Sequence, residues 1–311
     1  MSLYAALAGT GPTGFGFAST AEEVVSGLDL DGVRVLITGA NSGIGFESAR
    51  ALSARGATIG VIARTQEKAE ETAARLPAGR AAAFACELAS PASVLACLAT
   101  LRADPRSWDA LVLNAGIMAL PKLSVRHGFE QQFLTNHLGH FLLATRLLDR
   151  LSPQGRVVAL SSRAHTFTVR GGINFDNLDG AQGYFPWTFY GQSKLANLLF
   201  ARSLARRFAR TGRRAYAVHP GVIHTNLGRH MGVMGNVFFA LANPVGLKSV
   251  PQGAATTCWA AVHPDANAHN GAYLADVNVQ EPSRFAQDEA LAERLWTLSE
   301  EVVSGWERGV T

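Results

Sequence analysis

The chain has 311 residues, 48% hydrophobic and 17% charged, which supplies a sizeable core and excludes a disordered polypeptide. A net charge of +4 is too modest for this length to call for nucleic acid. Cys86, Cys97 and Cys258 form neither a disulfide framework nor a zinc spacing, no run reaches the roughly 18 apolar residues of a membrane span, and residues 1–9 lack the pattern of a signal peptide, so the expectation is a cytoplasmic globular protein.

Thr20-Ala21-Glu22-Glu23 reads as a capping box, opening a short helix that stops near Gly27 inside a lead-in of residues 1–30. A regular alternation follows over 31–311. Residues 33–38 form a short apolar strand, followed by a glycine-rich turn and a helix to about Arg55. Residues 57–63 are a second strand with a helix over 65–76. Residues 81–85 are a third, and Ser90-Pro91 sets an N-cap and N1 proline before a helix to Leu101. Strands at 111–114 and 157–161 bracket a long helical region, 131–151, and a helix over 188–209 precedes a sixth strand at 215–219. Short buried strands alternating with helices predict one α/β domain, a Rossmann-type doubly wound parallel sheet of about seven strands with helices on both faces. Leu291, Leu295, Leu298, Val302 and Trp306 mark one face of a C-terminal helix within 285–307, for packing on the parent core or against a subunit.

The first strand runs into Thr38-Gly39-Ala40-Asn41-Ser42-Gly43-Ile44-Gly45 and then a helix. Strand, glycine turn and helix N-terminus in that order place backbone N–H groups and a helix dipole around a pyrophosphate, which predicts dinucleotide binding. An NAD site wants an acidic residue about 20 positions on. Ala63 stands there, followed by Arg64, a planar cation suited to a 2′-phosphate, with Ser42 and Thr65 as hydroxyl donors. The cofactor expected is NADP(H).

Tyr190 and Lys194 are spaced i, i+4 near the start of a helix, where an ammonium would lower the phenol pKa and tune it for proton transfer. Ser161-Ser162 ends the fifth strand at the sheet edge where α/β proteins bind ligands. Asn114-Ala115-Gly116 ends the fourth strand, Asn136 lies in the following helix, and Pro220-Gly221-Val222-Ile223-His224-Thr225 follows the sixth strand.

In order and spacing these motifs, over residues 30–275, resemble the short-chain dehydrogenase/reductase superfamily in its non-extended branch. The 28 positions from Ser162 to Tyr190 and the run Ser193-Lys194-Leu195-Ala196-Asn197 resemble its retinol-dehydrogenase and WW-domain oxidoreductase subgroup. The resemblance implies Tyr190 as general acid or base and Lys194 as holder of the nicotinamide ribose. It implies Ser162 on the substrate oxygen and Asn136 fixing a water in a proton relay. Asn114, Ala115 and Gly116 would floor the cofactor, Ile223 and Thr225 would contact the carboxamide, and Pro220 and Gly221 would also bind the cofactor. Glu87 and Leu88 would stand near the adenine, Glu87 in place of the family's aspartate.

His137 and His140 lie three apart on a helix without a third ligand, so no metal is expected. His165 is a candidate substrate contact beside Ser162. Six arginines between 202 and 214 read as a solvated face. Residues 226–250 would cover the nicotinamide as a lid. Met231, Met234 and Phe238 there, with Trp187 opposite, predict apolar walls, although a buried helix would show the same composition. The substrate expected is a bulky, uncharged, lipophilic ketone, aldehyde or secondary alcohol, handled by a homodimer or homotetramer. Two rival readings remain: a membrane-surface retinoid-type dehydrogenase, and a non-catalytic NADP-binding, redox-responsive interaction protein.

Overall fold

The computed structural model describes residues 9–223 and 247–309. Eight strands form the main sheet: β1 (Arg34–Thr38), β2 (Thr58–Ala63), β3 (Ala81–Ala85), β4 (Trp108–Leu113), β7 (Leu151–Leu160), β8 (Arg214–His219), β9 (Tyr273–Ala275) and β10 (Asn278–Gln280). Their order is β10-β9-β8-β7-β4-β1-β2-β3. All neighbours are parallel except β9 and β10, which pair antiparallel. The expected doubly wound parallel sheet of seven strands is therefore present, with one antiparallel edge strand added. A separate hairpin, β5 (Val125–Arg126) with β6 (Phe129–Glu130), stands apart from it.

Helices cover both faces because strands buried on both sides need apolar partners above and below. One face carries α1 (Ala21–Val24), α2 (Gly43–Ser53), α3 (Gln66–Ala73) and α8 (Val250–Val262), with Val24, Leu52, Ala69 and Trp259 in a single apolar cluster. The other carries α4 (Pro91–Ala103), α6 (Gly139–Thr145), α7 (Pro186–Arg207) and α9 (Glu289–Glu307), joined through Leu98, Phe141, Leu199 and Leu295. The C-terminal stripe packs on this parent core: Leu295 and Trp306 are buried, Leu291, Leu298 and Val302 are half-buried against it, and the fully buried valine is Val303 instead. Arg146 clamps α9 further by reaching both Glu300 and Glu307.

Local signals explain several boundaries. Thr20 and Glu23 form the capping box reciprocally, Glu23 N–H donating to Thr20 Oγ1 and Thr20 N–H to Glu23 Oε2. Ser90 caps α4, and Pro186 occupies the first turn of α7, where its missing N–H costs nothing. The lead-in is part of the same body. Asn278 on β10 accepts from Thr13 N–H (3.2 Å) and donates to Phe15 O (2.9 Å), which covers the sheet edge.

The long helix expected over 131–151 is broken up. Its first residues are α5 (Gln131–Phe133), followed by a π-turn at Leu134–Leu138, α6, and a 3-10 turn at Leu148–Arg150. In strand β7 the chain is already extended from Leu151, which pairs with Trp108 across a register shift.

Candidate active site

The strand order reverses between β1 and β4, and there the carboxyl ends of the strands open into a cleft of about 220 Å³. Gly39 and Gly43 hold φ of 65° and 55°, and α2 starts at Gly43 with no side-chain cap from Ser42. The first-turn N–H groups thus point at the cleft as an anion site. At Gly45 a Cβ would collide with Gly39 O and Asn114 Nδ2. Asn41, Ser42, Gly43, Ile44 and Gly45 all line this wall. The close backbone fits a pyrophosphate.

Ala63 and Arg64 line the outer end. Arg64 is exposed, and among the described residues it has no ion-pair partner. Thr65 instead caps α3 through Lys68 N–H (3.3 Å). Glu87 and Leu88 stand beside Cys86 in the cleft, with Glu87 Oε1 accepting from Ala89 N–H at 3.1 Å. Asn114, Ala115 and Gly116 form the floor. Thr38, Ile117, Gln131 and Thr135 line it too, and only Thr38 carried a sequence signal, through its motif.

At the inner end Tyr190 and Lys194 sit one turn apart on α7, both buried. Lys194 Nζ lies 5.7 Å from the Tyr190 ring centroid and donates to Leu160 O at 3.0 Å. The expected lowering of the phenol pKa is not found in the protein alone. Burial pushes Tyr190 up to about 12, opposed by a hydrogen bond from Ser162, while burial brings Lys194 down to about 8. Burial disfavours the charged form of each group, the phenolate and the ammonium. The adjacent serines divide their work. Ser161 Oγ donates to Lys194 O (2.8 Å) inside the core, and Ser162 caps the following 3-10 turn while reaching Tyr190.

Asn136 occupies the π-turn, a distortion that recurs at functional sites. Its Oδ1 accepts from Ile117 N–H and its Nδ2 donates to Ile117 O and Ser193 Oγ, all at 2.9 Å. Its main-chain oxygen accepts from His140 Nδ1 at 2.9 Å. Both side-chain amide protons are engaged, so a relay water here would have to donate to an Asn136 oxygen.

Pro220 lines the cleft, Gly221 packs on the Lys248 side chain, and Ile223 bridges to Lys248. Thr225, Met231, Met234 and Phe238 lie outside the described residues. Trp187 meets the Tyr190 ring edge-on at 6.1 Å. His165 needs correction as a polar substrate contact. Its Nδ1–H donates to Ser162 O (2.7 Å) and its Nε2 accepts from Ser283 N–H (3.0 Å), which leaves no ring nitrogen free. Its place is to hold the serine turn against the segment before α9. Lys248, itself buried, pairs with the half-exposed Asp276 and lies over Phe17, an arrangement with no sequence signal because the partners are distant in the chain. Among the described residues no three potential metal ligands converge.

Comparison with known proteins agrees with this geometry. The short chain dehydrogenase family matches residues 33–233. The chain is 40% identical to the chloroplastic short-chain dehydrogenase TIC 32 B of Brassica napus, covering 97% of this chain and 99% of that one. It is 38% identical to retinol dehydrogenase 14 of Homo sapiens over 88% and 87% of the two chains. Among solved structures, an uncharacterized protein from Mycobacterium Paratuberculosis matches at TM-score 0.73 and 35% identity, over 90% of this chain and 97% of that one. A blue fluorescent protein from a metagenomic library, in complex with NADPH, matches at TM-score 0.64 and 26% identity, over 79% and 97%. With its glycine turn, Tyr190 and Lys194 lining one cleft at the carboxyl ends of a doubly wound sheet and Ser162 reaching Tyr190, the chain belongs to the short-chain dehydrogenase/reductase family, oxidoreductases acting on CH–OH and C=O groups.

Proposed function

We propose that the protein is an NADP(H)-dependent oxidoreductase of bulky, uncharged, lipophilic ketones, aldehydes or secondary alcohols. The carrying observation is that one cleft is lined by buried Tyr190, which half-buried Ser162 reaches by a hydrogen bond, and by exposed Arg64, which has no ion-pair partner among the described residues. A relative bound to NADPH supports the same choice of cofactor.

When bound, the nicotinamide supplies or accepts the hydride. Every other task falls to the chain. The first turn of α2 binds the pyrophosphate, and Arg64 takes the 2′-phosphate by charge-assisted hydrogen bonds. Lys194 Nζ holds ribose hydroxyls from a buried, preorganised position. Ser162 donates to the substrate oxygen and favours its developing negative charge. Tyr190 gives its phenolic proton to that oxygen in reduction and takes it back in oxidation. A phenol kept protonated by burial is already in the form that reduction needs.

The apolar substrate class is supported by the surroundings of Tyr190. Phe167 and Phe185, both in the stretch between Ser162 and Tyr190, are 58% and 70% exposed, and Trp187 packs on Tyr190 itself. Kinetics with NADPH across carbonyls of rising apolar size test the reading. Catalytic efficiency rises with apolar size if it is right, and a small charged carbonyl outperforms every apolar one if it is wrong. Tight NADPH binding without turnover of any carbonyl would favour a non-catalytic role.

A further inference from the structure

One buried amide joins the two chain segments that flank Tyr190. Gln132 is fully buried. Its Oε1 accepts from Ala119 N–H at 2.6 Å. Its Nε2 lies 3.1 Å from Tyr184 Oη, 3.3 Å from Pro186 O and 3.2 Å from Glu130 Oε1. Tyr184 Oη closes the circuit by donating to Leu120 O at 2.6 Å. The amide has one orientation only, since Ala119 N–H needs an acceptor and Pro186 O needs a donor.

The two segments are otherwise unrelated in sequence. Residues 117–120 form the arm after β4, and Ile117 lines the cleft. Residues 184–187 end the long stretch between Ser162 and Tyr190 and include the first turn of α7. Ala119 adopts φ 47°, in the left-handed region. A residue with a Cβ is strained there, and such strain persists only where the surroundings impose it. Gln132 is what imposes it: its carbonyl is the partner of the Ala119 amide. Glu130 secures Gln132 in turn, accepting from Gln132 N–H (2.9 Å) and Phe133 N–H (3.1 Å).

We propose that Gln132 is a specificity-determining positioning residue: through Ala119, Tyr184 and Pro186 it sets the separation of the two walls between which a bulky carbonyl reaches Tyr190. The inference rests on the carbonyl-reductase reading above. Gln132 touches no reacting atom. It acts by holding the walls at a width that rewards a large apolar substrate, and without it the arm relaxes from its strained turn.

The test compares wild type with Gln132→Leu, close in size but unable to hydrogen-bond, and with the milder Tyr184→Phe. Three quantities are read: kcat/KM for 2-decalone and for cyclohexanone at saturating NADPH, the NADPH dissociation constant by fluorescence, and amide hydrogen exchange over residues 117–120. In Gln132→Leu the decalone-to-cyclohexanone efficiency ratio should fall about tenfold, mainly through KM for decalone. NADPH affinity should stay within about twofold, and exchange over 117–120 should accelerate as the Ala119 bond is lost. Tyr184→Phe should lower the ratio about threefold. An unchanged ratio in folded Gln132→Leu overturns the inference while leaving the functional reading intact. If Gln132→Leu does not fold, an unchanged ratio in Tyr184→Phe overturns it equally. A wild type that reduces neither these nor any other carbonyl overturns the functional reading first, and this role with it.

Discussion

Thr38 Oγ1 and His140 Nε2 lie 2.8 Å apart, and that contact fixes a tautomer at the heart of the site. Thr38 Oγ1 already accepts from Asn114 N–H (2.9 Å) and Ala115 N–H (3.0 Å), so its single proton goes to the imidazole, Val112 O being more distant at 3.4 Å. His140 therefore carries its proton on Nδ1, which donates to Asn136 O. The end of β1, the cofactor floor and the π-turn are thereby one hydrogen-bonded unit. Thr38→Val would strand two N–H groups and an imidazole nitrogen. We expect a loss of at least about 2 kcal/mol in denaturant unfolding, together with weaker NADPH binding from a loosened floor.

The same histidine makes the protein acid-sensitive. Burial brings His140 down to about 4, His219 to about 4 and His137 to about 3. Between pH 6.5 and about 4 the unfolded chain binds these protons and the native one does not, so stability falls as pH falls. The slope is about 1.4 kcal/mol per pH unit for each histidine, and it flattens once the native groups begin to protonate. Urea melts from pH 7 to 4.5 measure it, and stability independent of pH across that window would contradict the buried neutral assignment.

Arg64→Asp should reverse cofactor preference. Removing a charge-assisted bond to a phosphate costs about 1.5–3 kcal/mol, or roughly 10- to 100-fold in kcat/KM for NADPH. The introduced carboxylate would accept from the ribose 2′-OH of NADH. Initial rates with both nucleotides check this, and an unaltered NADPH preference would place the 2′-phosphate elsewhere.

Gly45→Ala should abolish NADPH binding while leaving the sheet folded. The added methyl meets backbone at Gly39 O and the side-chain amide of Asn114, which its bonds to Thr38 O and Gly39 O hold in place. Fluorescence titration against far-UV circular dichroism separates lost binding from lost fold.

The placement of the cleft motifs was legible because their elements are local. A strand, three glycines and a helix are contiguous from Val33 to Ser53, and the tyrosine and lysine are neighbours on one helix. What escaped was non-local or carried by few residues. Strand β10 is three residues long, and its turn, Asp276-Val277, has φ of 52° and 62° without a glycine to announce it. The first half of β7 contains Pro153 and Gly155 and reads as loop, yet Leu151 pairs with Trp108. The π-turn at Asn136 has no compositional signature. Gln132 and Glu130 look like ordinary polar residues before a helix, and only the fold brings Ala119, Tyr184 and Pro186 to them. The sign of the Tyr190 shift was misjudged for a related reason, since i, i+4 spacing reveals a neighbouring charge but not how deeply both groups are buried.

The central claim is that Tyr190 transfers the proton. Its most direct test is single-turnover reduction of an apolar ketone by saturating NADPH, with wild type beside Tyr190→Phe. General acid–base catalysis contributes about 10²- to 10⁴-fold, so the Phe variant should lose about that much in the hydride-transfer rate while binding NADPH as tightly as wild type. A variant that retained more than roughly a tenth of the wild-type rate would contradict the account.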